Sequence, residues 1–338
     1  MNSLTAEDVS AVPAEVVSSI KSAKNVLTVG HVNPDLDAIG SALAVALAVE
    51  FLGGRATPVC SDPVPAMFDF LPEVHRVRQD PEPGVDYDLI VVGDCGDLAR
   101  TGSISQRHAD LFSRVPIVNI DHHISNTGFG HVDWIDATAA ATCEMDTLLM
   151  PALGVPLSAA SGAIAAALMA GVVVDTANFQ HPNVTPRTLR VAAELVAAGA
   201  PLSDTARLIY RTKPNGQLRL FGRVLERLQD DKSGSLVWVP MYEADYAATG
   251  SSAEDAEGLT DLVSQSASGQ LVIVFRQAGP NTKISVRTRD GGYDATVLTG
   301  LYGGGGHARA AGATVEKPID EAMPLVLGAA RAMMALGD

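Results

Sequence analysis

The sequence has few basic residues for its length. Among 338 residues it carries 24 lysines and arginines against 39 aspartates and glutamates, so the formal net charge is −15. Duplex DNA is bound mainly through contacts between basic side chains and phosphates, which need a positively charged face. The composition therefore argues against duplex DNA as a partner, while a short anionic ligand held by metal ions and a few arginines remains compatible with it.

Cysteines, targeting signals and long apolar runs are also scarce. Cys60, Cys95 and Cys143 form no C-x-x-C pair, which favours a reducing compartment without disulfides. The N-terminus lacks the basic start and apolar stretch of a signal peptide. Residues 158–174 come closest to a membrane span, but they are rich in alanine and glycine and precede Asp175, so we expect a buried helix. We therefore predict a cytoplasmic protein without a membrane partner.

Apolar residues, in contrast, are abundant at 47% of the chain and form short runs that alternate with helical segments. The predicted strands of the first half are residues 25–30, 56–60, 87–93 and 115–120. The predicted helices are residues 14–22, 38–52, 138–149 and about 158–175. Near-continuous apolar strands that alternate with helices predict an α/β fold, in which helices cover both faces of a parallel sheet.

The second half has a different pattern. Helices are predicted over 186–198 and 202–228, the latter broken near Lys213, and then a smaller mixed α/β unit follows. Its predicted strands are residues 236–242, 271–277 and 283–288, and its predicted helices are residues 258–266 and 321–336. We predict an N-terminal parallel-sheet domain at 1–190, a helical linker at 191–215 and a smaller C-terminal domain at 216–338.

Metal-type side chains follow three of the predicted strands. His31 follows the first strand, with Asp35 and Asp37 in the turn that opens the next helix; Asp94 follows the third strand and Asp121-His122-His123 the fourth. Ligands of open parallel sheets bind at the carboxyl ends of the strands, so these side chains are expected to converge. Three of the eight histidines fall at two such ends, always beside aspartate.

These residues suit a dinuclear metal centre. Carboxylates and imidazoles without thiolates suit Mn²⁺, Mg²⁺, Fe²⁺ or Co²⁺ better than structural zinc. Together with Asp175, the set has five aspartates and three histidines, which is more than one ion needs. Two ions about 3.5–4 Å apart would use them, with Asp94 as the expected bridge. Taken singly, each aspartate could equally cap a helix or a turn.

A glycine cluster near the C-terminus suggests a phosphate site. Residues 302–313 have the sequence YGGGGHARAAGA, in which four glycines precede His307 and Arg309. Glycine backbone can bring N–H groups directly onto a ligand, and histidine and arginine hold phosphate oxygens. Upstream, Arg287 and Arg289 are two residues apart and are expected to face the same side of a strand. The alternative is a flexible loop with solvated arginines.

Five segments together resemble the DHH phosphoesterase superfamily. Four segments resemble its successive motifs: HVNPDLDAIGSALA (31–44), VVGDCGD (91–97), NIDHH (119–123) and GVVVDTANF (171–179). The fifth segment, GGGGHARAAG (303–312), resembles the signature of the DHH-associated C-terminal domain. The segments occur in the right order along nearly the whole chain. The chain is most similar to the compact NrnA-like subfamily of nano-RNases, 3′-phosphoadenosine 5′-phosphate (pAp) phosphatases and dinucleotide phosphodiesterases.

The resemblance implies a role for each residue. One Mn²⁺ would be bound by His31, Asp35 and Asp94, and the other by Asp37, Asp94, His122 and Asp175, with Asp94 bridging. Next to the metals, His123 would contact the scissile phosphate or stabilise the leaving group, and Asp121 would orient an imidazole. The substrate's terminal phosphate and nucleotide would be held by Arg287, Gly304, Gly305, Gly306, His307 and Arg309.

The resemblance also implies the activity. A metal-dependent phosphodiesterase and phosphatase would hydrolyse cyclic di-AMP, pApA or nano-RNA to mononucleotides, and pAp to AMP, with water activated by two metal ions. The substrate would lie in a cleft between the two domains, and the enzyme would be a homodimer. The preferred substrate, and the choice of Mn²⁺ over Mg²⁺ or Co²⁺, stay open.

Other readings share part of the pattern. A family II inorganic pyrophosphatase also has the DHH motif, but it binds pyrophosphate with basic residues near its C-terminus. In this chain, residues 323–338 contain only one basic residue, Arg331. A RecJ-like single-strand exonuclease needs further nucleic-acid-binding modules, for which this acidic chain has little room. A non-catalytic nucleotide receptor would be favoured by loss of a metal ligand, and none is lost.

Overall fold

The chain forms two compact units, Met1–Thr212 and Lys213–Asp338. The computed structural model describes residues 4–5, 8, 10–289 and 292–335. Most of the predicted linker, 191–215, belongs to the first unit, because its helices pack against others of that unit. The predicted boundaries at 190 and 215 stay predictions.

The first unit is built on a parallel five-stranded sheet. Its strands are β1 (Asn25–Val29), β2 (Arg55–Val59), β3 (Leu89–Gly93), β4 (Ile117–Asp121) and β5 (Val132–Ile135), in the order β2-β1-β3-β4-β5. Its helices are α1 (Ala14–Ser22), α2 (Leu36–Phe51), α3 (Ser103–Arg107), α4 (Ala109–Arg114), α5 (Thr142–Leu153), α6 (Ala163–Asp175), α7 (Pro186–Ala197) and α8 (Leu202–Tyr210). Short 3-10 turns lie at Ala66–Phe68, Val74–Arg76, Leu98–Thr101 and Ala160–Gly162.

Both faces of this sheet are covered, as the apolar strands predict. On one face Val26, Val91 and Val118 pack into the same core as α2, α5 and α6. On the other face Leu27 and Ile90 join a core that includes side chains of α3 and α4. Side chains alternate between the faces of a strand, so strands buried on both sides must be apolar throughout. The predicted parallel sheet with helices on both faces is confirmed.

Helices α2 and α6 cross closely beneath the carboxyl edge of the sheet. Both are rich in alanine, and nearly all of their residues are buried. A Cβ atom at Gly40 of α2 would lie 2.5 Å from the carbonyl oxygen of Ala167 in α6, so only glycine permits this approach. In the part of the chain that the structure describes, no helix is both long and apolar enough to cross a membrane.

The second unit contains a six-stranded mixed sheet in the order β10-β11-β9-β8-β7-β6. The strands are β6 (Gln229–Asp230), β7 (Leu236–Met241), β8 (Leu271–Ala278), β9 (Asn281–Thr288), β10 (Gly305–His307) and β11 (Ala310–Val315). The helices are α9 (Asn215–Leu225), α10 (Glu243–Thr249), α11 (Leu259–Val263), α12 (Ala295–Gly300) and α13 (Ile319–Ala335), with a 3-10 turn at Glu254–Ala256. Among the described strands of this second sheet, only the β7–β8 pair is parallel. The predicted end of the last helix, Leu336, lies outside the described residues.

The predicted start of one helix was wrong. The helix expected from residue 138 begins at Thr142, because Asp136 accepts hydrogen bonds from the N–H and hydroxyl of Thr138 and holds a turn there. Within the glycine cluster, Gly305 and Gly306 lie in β10, which forms an antiparallel hairpin with β11. Glycine and alanine have low strand propensity, so this hairpin depends on its pairing with β9.

A buried acid in α5 gives the first unit a predictable pH dependence. Burial raises the pKa of Asp146 to about 7 from an ordinary 3.8, against a smaller opposing contribution from the Ser41 hydroxyl. Between these values the folded chain keeps a proton that the unfolded chain has released, so the free energy of unfolding falls as pH rises from about 4 to 7. Asp146→Asn removes the titrating carboxyl group and therefore this pH-dependent fall in the free energy of unfolding.

We therefore expect Asp146→Asn to gain stability relative to wild type as pH rises from 5 to 8, by at most about 3 kcal/mol. Urea unfolding at both pH values measures this difference. The control is Asp110→Asn, which changes an exposed carboxylate. Parallel pH profiles for wild type and Asp146→Asn would contradict the prediction.

Candidate metal centre and substrate-binding face

The predicted metal ligands converge at the carboxyl edge of the parallel sheet. In the strand order, β2 lies on one side of β1, and β3 and β4 lie on the other side. The chain therefore reverses its direction of winding at β1. His31 follows β1, Asp94 follows β3 and His122 follows β4. Asp94 has a left-handed backbone, with φ at 59°, where the chain turns sharply out of β3. This is the switch point at which sheets of this kind bind ligands.

One cluster of donors consists of His31, Asp35 and Asp94. The Nε2 atom of His31 lies 3.3 Å from Asp94 Oδ2 and 3.5 Å from Asp35 Oδ2. The other ring nitrogen, Nδ1, donates to the carbonyl of Val32 at 2.7 Å, which leaves Nε2 to face the carboxylates. Asp35 caps α2 with its Oδ1 atom, so its Oδ2 atom stays available to the cluster.

A second cluster consists of Asp37, His122 and Asp175. His122 Nε2 lies 3.2 Å from Asp175 Oδ2 and 4.0 Å from Asp37 Oδ2. It also lies 3.4 Å from Asp94 Oδ1, whereas the Oδ2 atom of Asp94 faces His31. The two oxygens of Asp94 therefore serve different clusters, which is the arrangement of a bridging carboxylate. Asp175 is the last residue of α6, so a helix end rather than a strand end supplies it.

Backbone N–H groups of α5 hold the buried Asp37. Its two carboxylate oxygens accept hydrogen bonds from the N–H groups of Thr142 at 2.7 Å and Cys143 at 2.8 Å. The Thr142 hydroxyl also donates to Asp94 Oδ1 at 3.2 Å. Sequence reasoning missed Thr142, since a threonine inside an alanine-rich segment carries no pattern that singles it out. Asp37 itself lies in the first turn of α2, not in the turn before it.

The electrostatics of the centre favour a cation. Burial, together with Asp94 and Asp175, raises the pKa of Asp37 well above its usual value. Burial alone would lower the pKa of His31, but hydrogen bonds with Asp35 and Asp94 outweigh it and raise the value to about 10. In His122, hydrogen bonds with Asp175 and Asp94 likewise outweigh burial and raise the pKa to about 11.

The large increase in the pKa of both imidazoles shows that the surrounding carboxylates make the site strongly negative. Among the ion pairs of the described residues, all partners of the four clustered carboxylates are histidines. Divalent cations of the Mn²⁺ and Mg²⁺ class prefer oxygen donors, and Mn²⁺ also accepts imidazole. The donor set therefore fits one such ion at each cluster, with Asp94 shared.

His123 is oriented differently from His122. Its Nδ1 atom donates to Asp121 Oδ1 at 2.7 Å, and this hydrogen bond raises the pKa of His123. The other oxygen of Asp121 accepts from the amide of Asn126 at 2.6 Å. Asp121 is fully buried, whereas the His123 side chain is 37% exposed. This hydrogen bond leaves the Nε2 atom of His123 available to a ligand. Asn126 is a contributor that the sequence analysis missed.

The second unit places two predicted substrate residues on one face of its sheet. In the register of β10, β11 and β9, His307 pairs with Ala310 and Ala310 pairs with Arg287, so all three side chains share a face. Arg287 Nε donates to the exposed Asp261 at 3.1 Å. A neighbouring concavity of about 480 Å³ is lined by Arg276, Lys283, Ser285, Tyr302, Gly303 and Gly304, among others. Arg276 is a basic residue that the sequence analysis did not single out.

The glycines of the cluster serve different purposes. A Cβ atom at Gly304 would clash with the backbone of Gly312, and Gly306 has a φ of 140° and lies against Ala310, so the hairpin itself requires both glycines. A Cβ atom at Gly305 would meet no atom within 4 Å. Gly305 shares the face of His307 and leaves backbone exposed there. A ligand could therefore approach the sheet at Gly305.

The remaining arginines of this region lie at the end of the hairpin. Arg309 occupies the turn between β10 and β11, where its carbonyl accepts the N–H of Thr288. Arg289 donates to the carbonyls of Ser266 and Ala267, so it holds a neighbouring loop. Of the two arginines predicted to share a face, Arg287 is thus the better placed for a ligand.

Comparisons with known proteins agree with this architecture. Residues 25–172 match the N-terminal domain of the DHH family, and residues 243–335 match the DHHA1 domain. The bifunctional oligoribonuclease and PAP phosphatase NrnA of Thermus thermophilus is 36% identical over 94% of this chain and 92% of its own length. The chain belongs to the DHH family. The protein of the same name from Bacillus subtilis is 26% identical over 89% of this chain and 92% of its own length.

The fold agrees with a solved structure as well. An exopolyphosphatase-related protein from Bacteroides fragilis aligns over 98% of this chain and 99% of its own, with a TM-score of 0.83 at 20% identity. The matches to the two family domains and to the NrnA relatives confirm the resemblance inferred from the five motifs. As a member of the DHH family the chain is an enzyme, a phosphoester hydrolase.

The close helix crossing beneath the centre gives a mutational prediction. A Cβ atom at Gly171 of α6 would lie 2.5 Å from Asp37 Oδ1 and would also overlap Cys143. Because two N–H groups fix Asp37, Gly171→Ala is expected to displace it, weakening Mn²⁺ binding and hydrolysis at least about tenfold at a stability cost of roughly 1–3 kcal/mol. Calorimetric Mn²⁺ titration and a hydrolysis assay measure both effects.

Gly222→Ala in α9 is the matched control, since its Cβ atom would meet nothing within 4 Å. This change should leave Mn²⁺ affinity and rate unchanged and raise stability by up to about 1 kcal/mol. If Gly171→Ala behaves like this control, the crossing does not position Asp37.

Proposed function

We propose that this chain is a two-metal phosphoester hydrolase of short nucleotides, which converts cyclic di-AMP, pApA or nano-RNA to mononucleotides and pAp to AMP. One observation carries the proposal. The two oxygens of Asp94 lie 3.3 Å from His31 and 3.4 Å from His122, so one carboxylate joins two separate donor clusters. A bridged pair of ions is an arrangement well suited to phosphoester hydrolysis.

The residues that would hold the ions are those of the two clusters. His31, Asp35 and Asp94 would bind one ion, and Asp37, Asp94, His122 and Asp175 the other. When bound, the ions supply Lewis-acid activation of water and neutralise charge on the phosphate. Mn²⁺ is the proposed metal because the donor set mixes imidazole and carboxylate, and Mg²⁺ and Co²⁺ are the alternatives.

The protein residues around the centre would bind and orient the substrate. His123, fixed by Asp121 through Nδ1, would donate from Nε2 to a phosphate oxygen or to the leaving oxygen. Hydrolysis breaks the P–O ester bond and adds hydroxyl to phosphorus, while the leaving oxygen gains a proton. No serine or cysteine nucleophile is required, and burial raises the pKa of the Cys95 thiol, which keeps it protonated beside the centre.

The substrate class is supported by the relatives. The Thermus and Bacillus proteins are named as bifunctional oligoribonucleases and PAP phosphatases, which makes short RNA and pAp the first substrates to test. Arg287, Gly304, Gly305, Gly306, His307 and Arg309 are the proposed contacts for the terminal phosphate and nucleotide. A homodimer in the cytoplasm remains part of the proposal. The DHHA1 match at residues 243–335 favours this activity over that of a pyrophosphatase, which has a different C-terminal domain.

Product analysis tests the activity. Purified protein with Mn²⁺ is expected to release AMP from pAp, pApA or cyclic di-AMP, and the relative rates identify the preferred substrate. Asp94→Ala removes the shared ligand, so it should reduce the rate at least about a hundredfold. Phosphate released from pyrophosphate alone, with the nucleotides left intact, would refute the proposal in favour of a pyrophosphatase.

The substrate-binding face gives a separate prediction. If Arg287 and His307 hold a phosphate remote from the scissile bond, Arg287→Ala and His307→Ala should raise KM for a dinucleotide at least about tenfold, as expected for a charge-assisted contact. The KM for bis-p-nitrophenyl phosphate, which has no second phosphate, should stay within about twofold. Lys232→Ala, at a surface lysine of the same unit, is the control. Equal effects on both substrates would mean that neither residue recognises a remote phosphate.

A further inference from the structure

Arg187 lies outside the four DHH motifs, yet it makes two short ion pairs next to the metal centre. It is the second residue of α7, and its Nε atom donates to Glu144 Oε1 at 2.6 Å. Its Nη1 atom lies 2.8 Å from Asp136 Oδ2. The Glu144 side chain is fully buried, and only about a fifth of the Arg187 and Asp136 side chains is exposed. An arginine held by two carboxylates in this way is well ordered.

The two acids hold the segment between β5 and α5, residues 136–141, which we call the 136–141 loop. At its start, Asp136 Oδ1 accepts from the N–H of Thr138 at 2.9 Å. Near its end, the N–H of Ala140 donates to Glu144 Oε2 at 3.2 Å. Arg187 therefore ties the beginning of the loop to the helix that follows it.

This loop and the first turn of α5 contact the second donor cluster. The carbonyl of Ala139 accepts from His122 Nδ1 at 3.4 Å. Directly after the loop, the N–H groups of Thr142 and Cys143 hold Asp37.

The third member of the cluster is linked to the same loop by an asparagine. The amide of Asn183 donates to the carbonyl of Ala140 at 3.1 Å and to the carbonyl of Asp175 at 3.2 Å. All three residues of the second cluster are thus linked to the 136–141 loop or to the turn after it.

His31 and Asp35, which belong to the first donor cluster alone, are oriented by other groups. His31 is fixed by the carbonyl of Val32, and Asp35 by the N–H groups at the start of α2. None of these described contacts involves the 136–141 loop. The shared Asp94 accepts from the Thr142 hydroxyl through Oδ1, the oxygen that faces His122. A change at Arg187 should therefore affect the two clusters unequally.

We infer that Arg187 is a positioning residue for the Asp37–His122–Asp175 site and not for the His31–Asp35 site. This inference rests on the proposed two-metal function and names the part of the protein that orients one of its sites. Groups that orient metal ligands typically change metal affinity by about 10–100-fold when they are removed. The planar guanidinium of an arginine that contacts two carboxylates fixes the direction of both, which a lysine does less well.

The test is calorimetric titration of full-length apo protein with Mn²⁺. Wild type should bind two ions. Arg187→Gln should weaken one site by about 10–100-fold and leave the other within about twofold, and Arg187→Lys should lie between. Arg190→Gln is the matched control, since Arg190 lies one turn further along α7 and pairs with Asp8. It should leave both sites unchanged.

Two reference variants assign the weakened site. Asp175→Asn removes a ligand of the second cluster only, and Asp35→Asn removes one of the first cluster only. The site weakened in Arg187→Gln must be the one weakened in Asp175→Asn. Weakening of the Asp35 site, equal weakening of both sites, or two unchanged sites would each overturn the inference. A wild-type protein that binds fewer than two ions would instead refute the proposed two-metal function.

Arg187→Gln leaves the buried Glu144 without its charged partner and could therefore prevent folding. In that case Asp136→Asn replaces it in the test. Asp136 is partly exposed, so this variant breaks one ion pair of the loop without leaving a fully buried charge. It should weaken the Asp175 site at least threefold and spare the Asp35 site. Wild-type affinity at both sites in a folded Asp136→Asn protein would overturn the inference.

Discussion

Repulsion among buried carboxylates is the constraint on which the rest of the first unit depends. Asp37 and Asp94 are almost completely buried, and Asp175 faces the same imidazole as both of them. Such a set is stable only where hydrogen-bond donors or cations offset the charge. The chain supplies two backbone N–H groups to Asp37 and two imidazoles to the cluster as a whole. The remaining negative charge makes the site selective for cations.

The packing beneath the centre follows from the same constraint. To bring Asp37 at the start of α2 close to Asp175 at the end of α6, the two helices must cross at short distance. Gly40 and Gly171 allow this approach, and the many alanines along both helices keep it close. The alanine-rich segments, which resemble a membrane span in composition, are thus explained by the spacing that the ligands need.

Sequence periodicity was sufficient to predict the parallel sheet and the convergence of its strand-end residues, because buried parallel strands must be apolar and their carboxyl ends share one edge. It could not find Thr142, Asn126 or Arg187. These residues act through individual hydrogen bonds and ion pairs, most of them between residues far apart in the sequence, and such contacts leave no periodic pattern. Residues 138–141 were mistaken for helix because alanine favours helices, whereas the side chain of Asp136 holds a turn there.

One face of the C-terminal sheet is divided between an apolar part and a part with polar and small residues. On the β7–β8 side of this face, Val237, Val239, Val272 and Val274 pack against α9 and α11. On the β9–β11–β10 side, the same face carries Ser285, Arg287, Gly312, Gly305 and His307, which are too polar or too small to form such a core. An antiparallel sheet tolerates this division, because each strand needs only one apolar face. The opposite face is covered by α12 and α13, which form a second core with it, so the polar half of the first face is not needed for packing.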